Sequence, residues 1–542
     1  MRGADCLIET LSTLGVGRLF TLSGNQIMPV FDACIGTDIN LIHVRHEAAA
    51  MHMADAWGRL TREPGVALVT AGPGFANTLS ALYVAKMAES PVVVLSGHAP
   101  LGQLGHGVFQ EMAQTEMASH VTKASWMSTD PVMLGHDLAR AYHLAQAGRP
   151  GPVHLTLPVD LLEAQISQQA GAPPQPDTPA PGLPDTAIQS VLDTIAAAQR
   201  PLVLAGPALA RNTAALTELT ATIQAPVIGM ESPRGVNDPS LGAFAEVLAQ
   251  ADLVVLLGKK LDFMVQHGRA PAVSPDCRFI HIDAEADALD QTRSSLEATR
   301  LTAAFTGDPM MVIQQLEQHA NRKPLASAAW CDDVHAAINH RPSAWSSLQS
   351  APGDPLHAVE VCRAVEAFLS RDLNAIYISD GGEFGQWAQA CLSARRRLIN
   401  GPSGAIGSAI PFALAAREAF PEARIVTLLG DGTFGFHPAE FDTAIRYELP
   451  IIAVVGNDAA WNAEYQIQLR DFGPERLIGC ELRPTPYHEV VQAFGGYGEQ
   501  VSTASELPAA LERAYTSGLP ACLNVSLAKH AAPVIRRQGV QS

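Results

Sequence analysis

Short apolar runs alternate along the chain with alanine- and leucine-rich stretches that have the character of helices. The runs are rich in β-branched residues, and most of them end in glycine or in a polar residue. Buried parallel strands covered by helices produce this alternation. The runs that we interpret as strands are Arg18–Gly24, Asn40–His46, Gly65–Gly72, Val92–Gly97, Pro152–Pro158, Pro201–Gly206, Pro226–Met230, Leu253–Gly258, Arg278–Asp283, Ala375–Gly382, Arg424–Gly432, Ile451–Asp458 and Ala521–Leu527. The pattern predicts an α/β protein with three doubly wound parallel-sheet domains.

Two changes of composition separate these predicted domains. The stretch Gln168–Pro184 is rich in proline and glutamine, which is typical of a linker. The composition becomes irregular again between Lys323 and Pro355. We therefore expect an N-terminal domain at residues 1–167, a central domain at 186–322 and a C-terminal domain at 353–542.

Charge and composition narrow the classes of ligand. The 542 residues carry a formal charge of −18, which disfavours nucleic acid as a partner. A phosphate-bearing ligand must then be held locally, by backbone N–H groups or by a metal ion. The 8 cysteines are scattered, which argues against a disulfide framework or a zinc site and favours the cytoplasm. No signal peptide and no long apolar run is recognisable, so we expect no contact with a membrane.

The strongest local signal for chemistry lies at two successive strand ends. Gly430-Asp431-Gly432-Thr433-Phe434 follows one apolar run, and Asn457-Asp458 follows the next. Ligands of open parallel sheets bind beyond the carboxyl ends of the strands, where two such acids can meet over one cation. Mg²⁺ takes few protein oxygens and completes its shell with phosphate and water. The motif therefore indicates a diphosphate held through Mg²⁺, with an ordinary Asp-Gly turn as the alternative.

Glu47 gives a second signal. It follows the run Asn40–His46 and opens a helix of small residues. An acid at a helix N-terminus is also favourable for the helix dipole, so this position alone does not establish a catalytic role.

Together the two signals resemble the thiamine diphosphate family of acetolactate synthases, benzaldehyde lyase and 2-hydroxyacyl-CoA lyases. The likeness extends over nearly the whole chain, and several independent matches occur in the right order. The matching segments are Gly24–Val30, Arg45–Glu47, Thr70–Gly74, Phe109–Glu111 and the metal motif. The resemblance implies that the N-terminal domain binds the pyrimidine of the cofactor and that the C-terminal domain binds its diphosphate. The central domain lies between them in the chain.

The resemblance also implies a role for individual residues. Glu47 would hydrogen-bond the pyrimidine N1′ and so promote the proton transfers that activate the cofactor. Around the cofactor, Ile406 would support its bend, the carbonyl of Gly404 would accept from its 4′-amino group, and Gly430 and Trp461 would complete the pocket. Asp431, Asp458 and the carbonyl of Ala460 would ligate Mg²⁺. Backbone N–H groups of Gly382, Gly432 and Thr433 would bind the diphosphate.

Two glutamines are the candidate catalytic residues on the substrate side. Gln110 follows Phe109, as in acetolactate synthases and benzaldehyde lyase, where a glutamine faces the reacting carbonyl. Gln26 stands where benzaldehyde lyase has histidine; an amide can orient a carbonyl but is a poor general base. Trp461 and Glu464 are further candidates, and Trp461 has core packing as its alternative.

Several positions depart from the family pattern. Asp458 stands where many relatives have asparagine, which adds a negative charge, and Asn462 stands where glycine is more usual. Glu383 is unexpected beside an anionic diphosphate and should weaken cofactor binding unless it is neutral or turned away. The paired histidines of pyruvate decarboxylases are absent, so a simple decarboxylase is less favoured.

The sequence thus predicts a carboligase or lyase that acts on 2-oxo acids or 2-hydroxy carbonyl compounds. The run Ile27–Ala33 favours an enzyme like acetolactate synthase. The stretch Leu257–Phe263 resembles 2-hydroxyacyl-CoA lyases and oxalyl-CoA decarboxylases more, so a C–C lyase, including one like benzaldehyde lyase, is the main alternative. In that case the substrate would be a CoA thioester, and a nucleotide or CoA would have room in the central domain. The flavin-binding insert is shortened, which argues against FAD.

Two other classes of protein remain as alternatives. A non-catalytic partner subunit would not need Glu47 and Asp431, and both are present. An NAD- or FAD-dependent oxidoreductase would need a Gly-x-Gly-x-x-Gly helix start, which the chain lacks. Since Glu47 and Asp431 meet across a subunit interface in the family, we expect a homodimer or a homotetramer.

Overall fold

A computed structural model describes residues 1–167, 181–320 and 324–537. The chain folds into two compact units. The first comprises Met1–Asp177 and Gln349–Ala532, and the second comprises Thr178–Leu348 and Pro533–Ser542. The first unit contains two parallel sheets and the second contains one, so the predicted fold class is confirmed. The predicted domain boundaries stay predictions, and most of the predicted linker Gln168–Pro184 lies outside the described residues.

The N-terminal sheet of the first unit has six parallel strands in the order β2-β1-β3-β4-β6-β5. Its strands are β1 (Arg18–Thr21), β2 (Asn40–His43), β3 (Gly65–Val69), β4 (Val92–His98), β5 (Ala124–Met127) and β6 (Pro152–Pro158). Its helices are α1 (Gly3–Thr13), α2 (Met28–Ala33), α3 (Glu47–Thr61), α4 (Pro73–Ala76), α5 (Leu79–Met87), α6 (Gln114–Ser119), α7 (Leu134–Gln146) and α8 (Val159–Glu163). The strand order reverses direction between β1 and β3, which opens a crevice at their carboxyl ends.

The sheet of the second unit has five parallel strands in the order β11-β10-β9-β7-β8. Its strands are β7 (Pro201–Ala205), β8 (Val227–Gly229), β9 (Leu253–Leu257), β10 (Arg278–Asp283) and β11 (Leu301–Thr306). Its helices are α9 (Asp185–Ala197), α10 (Pro207–Ala210), α11 (Thr213–Ile223), α12 (Phe244–Leu248), α13 (Ala286–Ser295), α14 (Pro309–His319) and α15 (Ala328–Asn339). This unit has its own apolar core, which includes all of β9.

The C-terminal sheet of the first unit repeats the topology of the N-terminal sheet, in the order β13-β12-β14-β15-β17-β16. Its strands are β12 (Ile376–Ser379), β13 (Arg396–Ile399), β14 (Ile425–Gly430), β15 (Ile452–Asn457), β16 (Tyr497–Val501) and β17 (Ala521–Ser526). Its helices are α16 (Ala358–Leu369), α17 (Glu383–Cys391), α18 (Ala409–Ala419), α19 (Asp431–Phe434), α20 (Glu440–Arg446), α21 (Asn462–Phe472), α22 (Tyr487–Ala493) and α23 (Leu507–Thr516). Its crevice lies between β12 and β14, where the metal motif ends β14.

Every run that we interpreted as a strand contains a strand, but four further strands were missed. These are β5, β11, β13 and β16, and each of them lies at the edge of its sheet. Edge strands are shielded on one side only, and their residues here are mostly half-buried or exposed. They therefore lack the continuous apolar run by which the buried strands were recognised.

The two sheets of the first unit share one apolar core through the packing of α3 against α18. Alanines dominate the contact, among them Ala50 and Ala54 of α3 and Ala413 of α18, and all three are fully buried. Small side chains let the two helices approach closely, so that this interface is as dense as the interior of a domain.

A buried ion pair reinforces the same interface. Arg59 of α3 donates to both carboxylate oxygens of Asp55, at 2.8 and 2.6 Å, and to the carbonyl of Ile399 at 2.8 Å. The guanidinium also lies over the ring of Phe412 in α18, 4.9 Å from its centroid.

Among the residues that the structure describes, no helix is long and apolar enough to cross a bilayer.

Replacing Arg59 by leucine should destabilise the first unit strongly. The change leaves Asp55 buried without its cationic partner, which costs about 3–5 kcal/mol in comparable cases. Chemical denaturation followed by circular dichroism measures the loss. The control is Arg371→Leu, which breaks an ion pair with Glu512 whose side chains are 50% and 39% exposed; it should cost less than about 1 kcal/mol. Equal losses of unfolding free energy in the two variants would show that the buried ion pair stabilises the fold no more than the exposed one.

Candidate active site

Two groups of site residues, most of them predicted, gather at the carboxyl ends of the two six-stranded sheets. We call them the Glu47 cluster, which comprises Glu47, Gln26, Thr70–Gly74, Asn77 and Gln110, and the Asp431 cluster. The Asp431 cluster comprises Gly381, Gly382, Gly404–Ile406, Gly430–Thr433, Asp458, Ala460 and Trp461. Each cluster lies where the order of strands in its sheet reverses.

Glu47 is the first residue of α3, and His46 caps that helix by accepting from the N–H of Ala48 at 3.1 Å. The Glu47 side chain is buried, and Asn77 donates to its Oε2 at 2.9 Å. Gly74 passes close to the other carboxylate oxygen, because a Cβ built on Gly74 would lie 3.4 Å from Oε1. One oxygen of Glu47 is thus held in place, and the other lies beside a glycine turn.

Gln26 follows β1 and is also buried. The hydroxyl of Thr70 donates to its Oε1 at 2.7 Å. Because the amide oxygen is engaged in this way, the group retains N–H donors to offer. A Cβ on Gly97 would lie 2.8 Å from that of Gln26, so the side chain packs closely on the end of β4.

Gln110 is half-buried and has a left-handed backbone, with φ of +60°. It packs on the turn after β3, where a Cβ on Gly72 would lie 2.9 Å from the Gln110 carbonyl oxygen. Its neighbour Phe109 is 72% exposed. The structure therefore brings Gln110, Gln26 and Glu47 to one sheet edge around the turn Thr70–Gly74.

Asp431 follows β14 directly and is 1% exposed. Neither of its carboxylate oxygens has a hydrogen-bond partner of good geometry among the described residues. Burial raises the pKa of Asp431 to about 6, although the backbone N–H groups of Gly432 and Ala460 oppose the shift. An ionised carboxylate in this position is costly until a cation reaches it.

Asp458 lies at the end of the neighbouring strand β15. Burial and the negative charge of Asp431 raise the pKa of Asp458 to about 7, and the nearby Lys529 opposes the shift. No set of three or more His, Cys, Asp or Glu that would hold a metal occurs in the described part of the chain. Two carboxylates and the buried backbone of Ala460 are few ligands, which suits Mg²⁺ with phosphate and water in the remaining positions.

The glycines of the Asp431 cluster are shaped for a close ligand. Gly382 has φ of +87° before α17, and a Cβ there would meet open space. A Cβ on Gly381 would lie 2.5 Å from Ile406, and one on Gly432 would lie 2.7 Å from the ring of Trp461. Thr433 donates its hydroxyl to the Gly430 carbonyl at 3.0 Å. The backbone at Gly382 is thus open to a ligand, whereas Ile406 packs on Gly381 and Trp461 packs on Gly432.

The loop that carries Gly404 and Ile406 is held by Asp380. This buried carboxylate accepts from the N–H groups of Gly381, Gly407 and Ala409, at 2.7, 2.9 and 3.1 Å. Burial raises the pKa of Asp380 to about 6 against these three donors. Gly404 itself is exposed with φ of +68°, and Ile406 is half-buried.

The unexpected acid Glu383 is engaged by a segment near the end of the first unit. Its Oε2 accepts from the N–H of Ala532 at 2.9 Å, and Trp387, one turn further along α17, donates to the carbonyl of Ala531 at 3.0 Å. In the same segment, Lys529 lies over the ring of Tyr465, 5.0 Å from its centroid. We call residues 527–532 the C-terminal strap, because they lie beside both acids that depart from the family pattern.

Some site features lie outside what we predicted. Asp380 lies two residues before the end of the predicted strand Ala375–Gly382, so the strand-end rule contained a signal for it, whereas Asn77 and Gln114 follow no pattern that singles them out. Glu464, a predicted substrate-side residue, is exposed on α21. The hydrogen bond of Glu47 stays within the N-terminal sheet, and the groups that face Asp431 belong to the C-terminal sheet. Each cluster is therefore built by one sheet.

Comparison with known proteins finds three matching domain families along the chain. Sequence models of thiamine pyrophosphate enzymes match residues 1–117 (N-terminal TPP binding domain), 188–316 (central domain) and 380–525 (C-terminal TPP binding domain). The acetolactate synthase large subunit IlvG of Mycobacterium tuberculosis is 31% identical, over 97% of this chain and 95% of its own length.

Two lyase-type relatives are almost as similar. The 2-hydroxyacyl-CoA lyase 2 of Homo sapiens is 30% identical, over 93% of this chain and 86% of its own length. The oxalyl-CoA decarboxylase of Escherichia coli is 27% identical, over 96% of this chain and 94% of its own length.

Replacing Asp431 by asparagine should stabilise the cofactor-free protein. The raised pKa means that ionisation costs folding free energy, by on the order of 2–3 kcal/mol once the group is charged. This penalty is absent below about pH 4, where the unfolded chain is protonated as well, and it is complete above about pH 6. Thermal unfolding of wild type and Asp431→Asn between pH 4 and 8 measures it.

The matched control for this prediction is Asp380→Asn. The pKa of Asp380 is raised to a similar value, but its oxygens accept from three N–H groups. The amide nitrogen of the new asparagine is itself a donor and would point at a backbone N–H group, so the two would repel. This variant should therefore lose stability at pH 8. A loss of stability in Asp431→Asn as well would mean that the Asp431 oxygens have partners in the folded protein.

Proposed function

Because the chain belongs to the thiamine pyrophosphate enzyme family, we propose that it is a thiamine diphosphate- and Mg²⁺-dependent carboligase similar to acetolactate synthases. The proposed reaction joins the remainder of a 2-oxo acid, after loss of CO₂, to a second carbonyl compound. The observation that carries the proposal is the amide-bearing Glu47 cluster, in which Gln26 and Gln110 lie together with the buried side chain of Glu47.

The Asp431 cluster would hold the charged end of the cofactor. Asp431, Asp458 and the Ala460 carbonyl would bind Mg²⁺, and the N–H groups of Gly382, Gly432 and Thr433 would bind the diphosphate. The buried, unpartnered carboxylate of Asp431 supports this assignment. Gly404, Ile406 and Trp461 would contact the cofactor between its two ends. When bound, thiamine diphosphate supplies a nucleophilic carbon and an electron sink for the bond that is made or broken.

Glu47 would accept and return one proton in this reaction. Asn77 fixes Oε2, so Oε1 is the atom that would hold the proton and return it to the cofactor. Since α3 begins at Glu47, and His46 caps that helix, the carboxylate has a defined position before any ligand arrives.

Gln26 and Gln110 would orient the carbonyl substrates through N–H donors. Neither side chain can exchange a proton near neutral pH, so both would act by orienting a carbonyl and not as general acids or bases. The Thr70 bond leaves the amide of Gln26 ready to donate.

A 2-hydroxyacyl-CoA lyase is the second candidate. The near-equal identity of the human lyase supports it, and cleavage of a 2-hydroxy carbonyl compound is the reverse of carboligation. A CoA thioester would be its substrate. Lys259, in the stretch that suggested this branch, is buried with Nζ 2.6 Å from Asp262 and 2.8 Å from the Lys260 carbonyl, which favours a structural role for that lysine.

We also propose a homodimer or homotetramer in which the Glu47 cluster of one subunit completes the Asp431 cluster of another. Exposed apolar side chains flank both clusters: Phe109, the neighbour of Gln110, is 72% exposed, and Phe436, which lies against the Trp461 ring, is 50% exposed. Such surfaces are typical of protein contacts.

The eight free cysteines support the cytoplasm as the location.

The first test is a turnover assay on metal-stripped protein, with thiamine diphosphate and Mg²⁺ added back singly and together. Pyruvate, benzoin and a 2-hydroxyacyl-CoA are offered in parallel. We expect 2-hydroxy ketone from pyruvate only when both additions are present, because the diphosphate and the ion bind together. Release of free CoA from the thioester, without turnover of pyruvate, would assign the chain to the lyase branch instead.

Glu47→Gln is the control for that assay. It keeps the size and the hydrogen bond to Asn77 but removes the exchangeable proton, so turnover should fall by at least about 100-fold. Binding of the cofactor, measured by calorimetry, should change little. Full activity in this variant would remove Glu47 from the mechanism.

A site shared between subunits makes a sharper prediction. Glu47→Gln and Asp431→Asn should each be inactive alone, yet their co-expression should restore about a quarter of wild-type activity, since mixed dimers keep one intact site. Co-expression of Asp431→Asn with Asp458→Asn, which damage the same cluster, should restore nothing. If the first pair stays inactive although mixed dimers form, both clusters serve one site within a single chain.

A further inference from the structure

A buried chain of hydrogen bonds lies beneath the turn Thr70–Gly74. Gln114, the first residue of α6, accepts from the N–H of Gly72 at 2.6 Å through Oε1. Its Nε2 lies 2.8 Å from the hydroxyl of Ser96 and 3.1 Å from the carbonyl of Gly97. The Ser96 hydroxyl lies 2.7 Å from Nε2 of His154. We call the set formed by Gln114, Ser96, His154 and Ser125 the Gln114 network.

The orientation of the Gln114 amide in this network is determined by its backbone partners. The N–H of Gly72 can only donate and the carbonyl of Gly97 can only accept, so the Gln114 amide has one orientation. Nε2 of Gln114 therefore donates to the Ser96 oxygen, which leaves the Ser96 hydroxyl proton available for Nε2 of His154 in the tautomer whose Nε2 accepts. The remaining proton of a neutral imidazole is then on Nδ1, which lies 2.8 Å from the Ser125 hydroxyl.

Burial keeps the network in this state. Gln114 is 1% exposed, and Ser96 and His154 are fully buried. Burial lowers the pKa of His154 to about 3, so its ring is neutral at physiological pH. The ring also stacks on Phe75 of α4, with centroids 4.4 Å apart. A second acceptor contact, from the Thr156 hydroxyl at 3.3 Å, is longer than the bond from Ser96.

The network holds the segment on which Gln110 rests. Gly72 has φ of +57°, a conformation that the Gln114 bond fixes from below, and Gln110 packs on the same residue from the other side. Gln110 and Gln114 are four residues apart, and His98 anchors the stretch between them through the Met112 carbonyl, 3.0 Å from Nε2. A shift of the Gln114 side chain therefore moves both the turn and the loop that meet at Gln110.

We propose that Gln114 is a positioning residue that sets the place of the Gln110 amide, and with it the binding of the carbonyl substrate. The inference rests on the proposed function in one respect, because Gln110 is taken to face that substrate. Gln114 itself contacts neither substrate nor cofactor.

The test compares Gln114→Met with Ser125→Ala in the full-length holoenzyme. The first variant keeps the length of the side chain but removes the partners of Gly72 and Gly97. The second breaks only the far end of the same network. We expect Gln114→Met to lower kcat/KM for the carbonyl substrate about tenfold, mainly through KM, with thiamine diphosphate affinity unchanged. Ser125→Ala should lose similar stability and keep kcat/KM.

Hydrogen exchange gives a reading that needs no substrate. In cofactor-free protein, peptides that contain the Gly72 amide should exchange slowly in wild type and in Ser125→Ala, and much faster in Gln114→Met. Gln114→Glu adds a pH signature. Its protonated form keeps an acceptor for Gly72 and one donor, so KM should approach the wild-type value as pH falls and rise as the acid ionises.

Two results would overturn the proposal. One is slow exchange at Gly72 in Gln114→Met, because the bond would then not hold the turn. The other is an equal loss of kcat/KM in Gln114→Met and Ser125→Ala, which would indicate general loosening of the domain. If wild type turned over none of the offered carbonyl compounds, the proposed function would fail, while exchange at Gly72 would still decide whether Gln114 holds the turn.

Discussion

The contact between α3 and α18 is the interaction on which the first unit depends. Both helices begin at or near candidate site residues: α3 starts with Glu47, and α18 starts at Ala409, just after the loop that carries Gly404 and Ile406. Buried alanines set the helices close together, and the Arg59–Asp55 pair reaches across to the carbonyl of Ile399. One interface therefore orients the starts of two helices on which the proposed chemistry relies.

Within each cluster, polar groups are placed by buried hydrogen bonds that the backbone directs. Asp380 accepts from the N–H of its neighbour Gly381 and from those of Gly407 and Ala409, and Gln114 accepts from the N–H of a turn in the other sheet. The contrast with Asp431 is informative, because its oxygens are equally buried and lack such donors. Satisfied carboxylates and amides in this protein support the framework, and the unsatisfied carboxylate is the one that we propose as a ligand of Mg²⁺.

The sequence allowed the fold class and the strand ends of both clusters to be predicted, because buried parallel strands leave a strong apolar signal. The four missed strands, β5, β11, β13 and β16, lie at sheet edges, where one side is unshielded and the signal fades. Gln114 and Asn77 were missed for another reason. Their partners, Gly72 and Glu47, are 42 and 30 residues away, and no local spacing encodes such contacts.

The negative charge of Glu383 is likewise accommodated by a residue that is distant in the sequence. Its acid looked unfavourable beside a diphosphate, and the sequence near it offered no relief. The structure supplies a partner from the C-terminal strap, 149 residues away, and places Lys529 of the same strap near Asp458. A net charge of −18 therefore does not describe the electrostatics at the candidate site, which local partners determine.

The left-handed backbone of Gln110 has a consequence for evolution in the laboratory. A residue other than glycine at φ of +60° stores conformational strain of about 1 kcal/mol or more, which the surrounding contacts must balance. Glycine would relieve that strain and remove the amide in the same step. Selection for heat resistance and selection for turnover would therefore favour different residues at position 110.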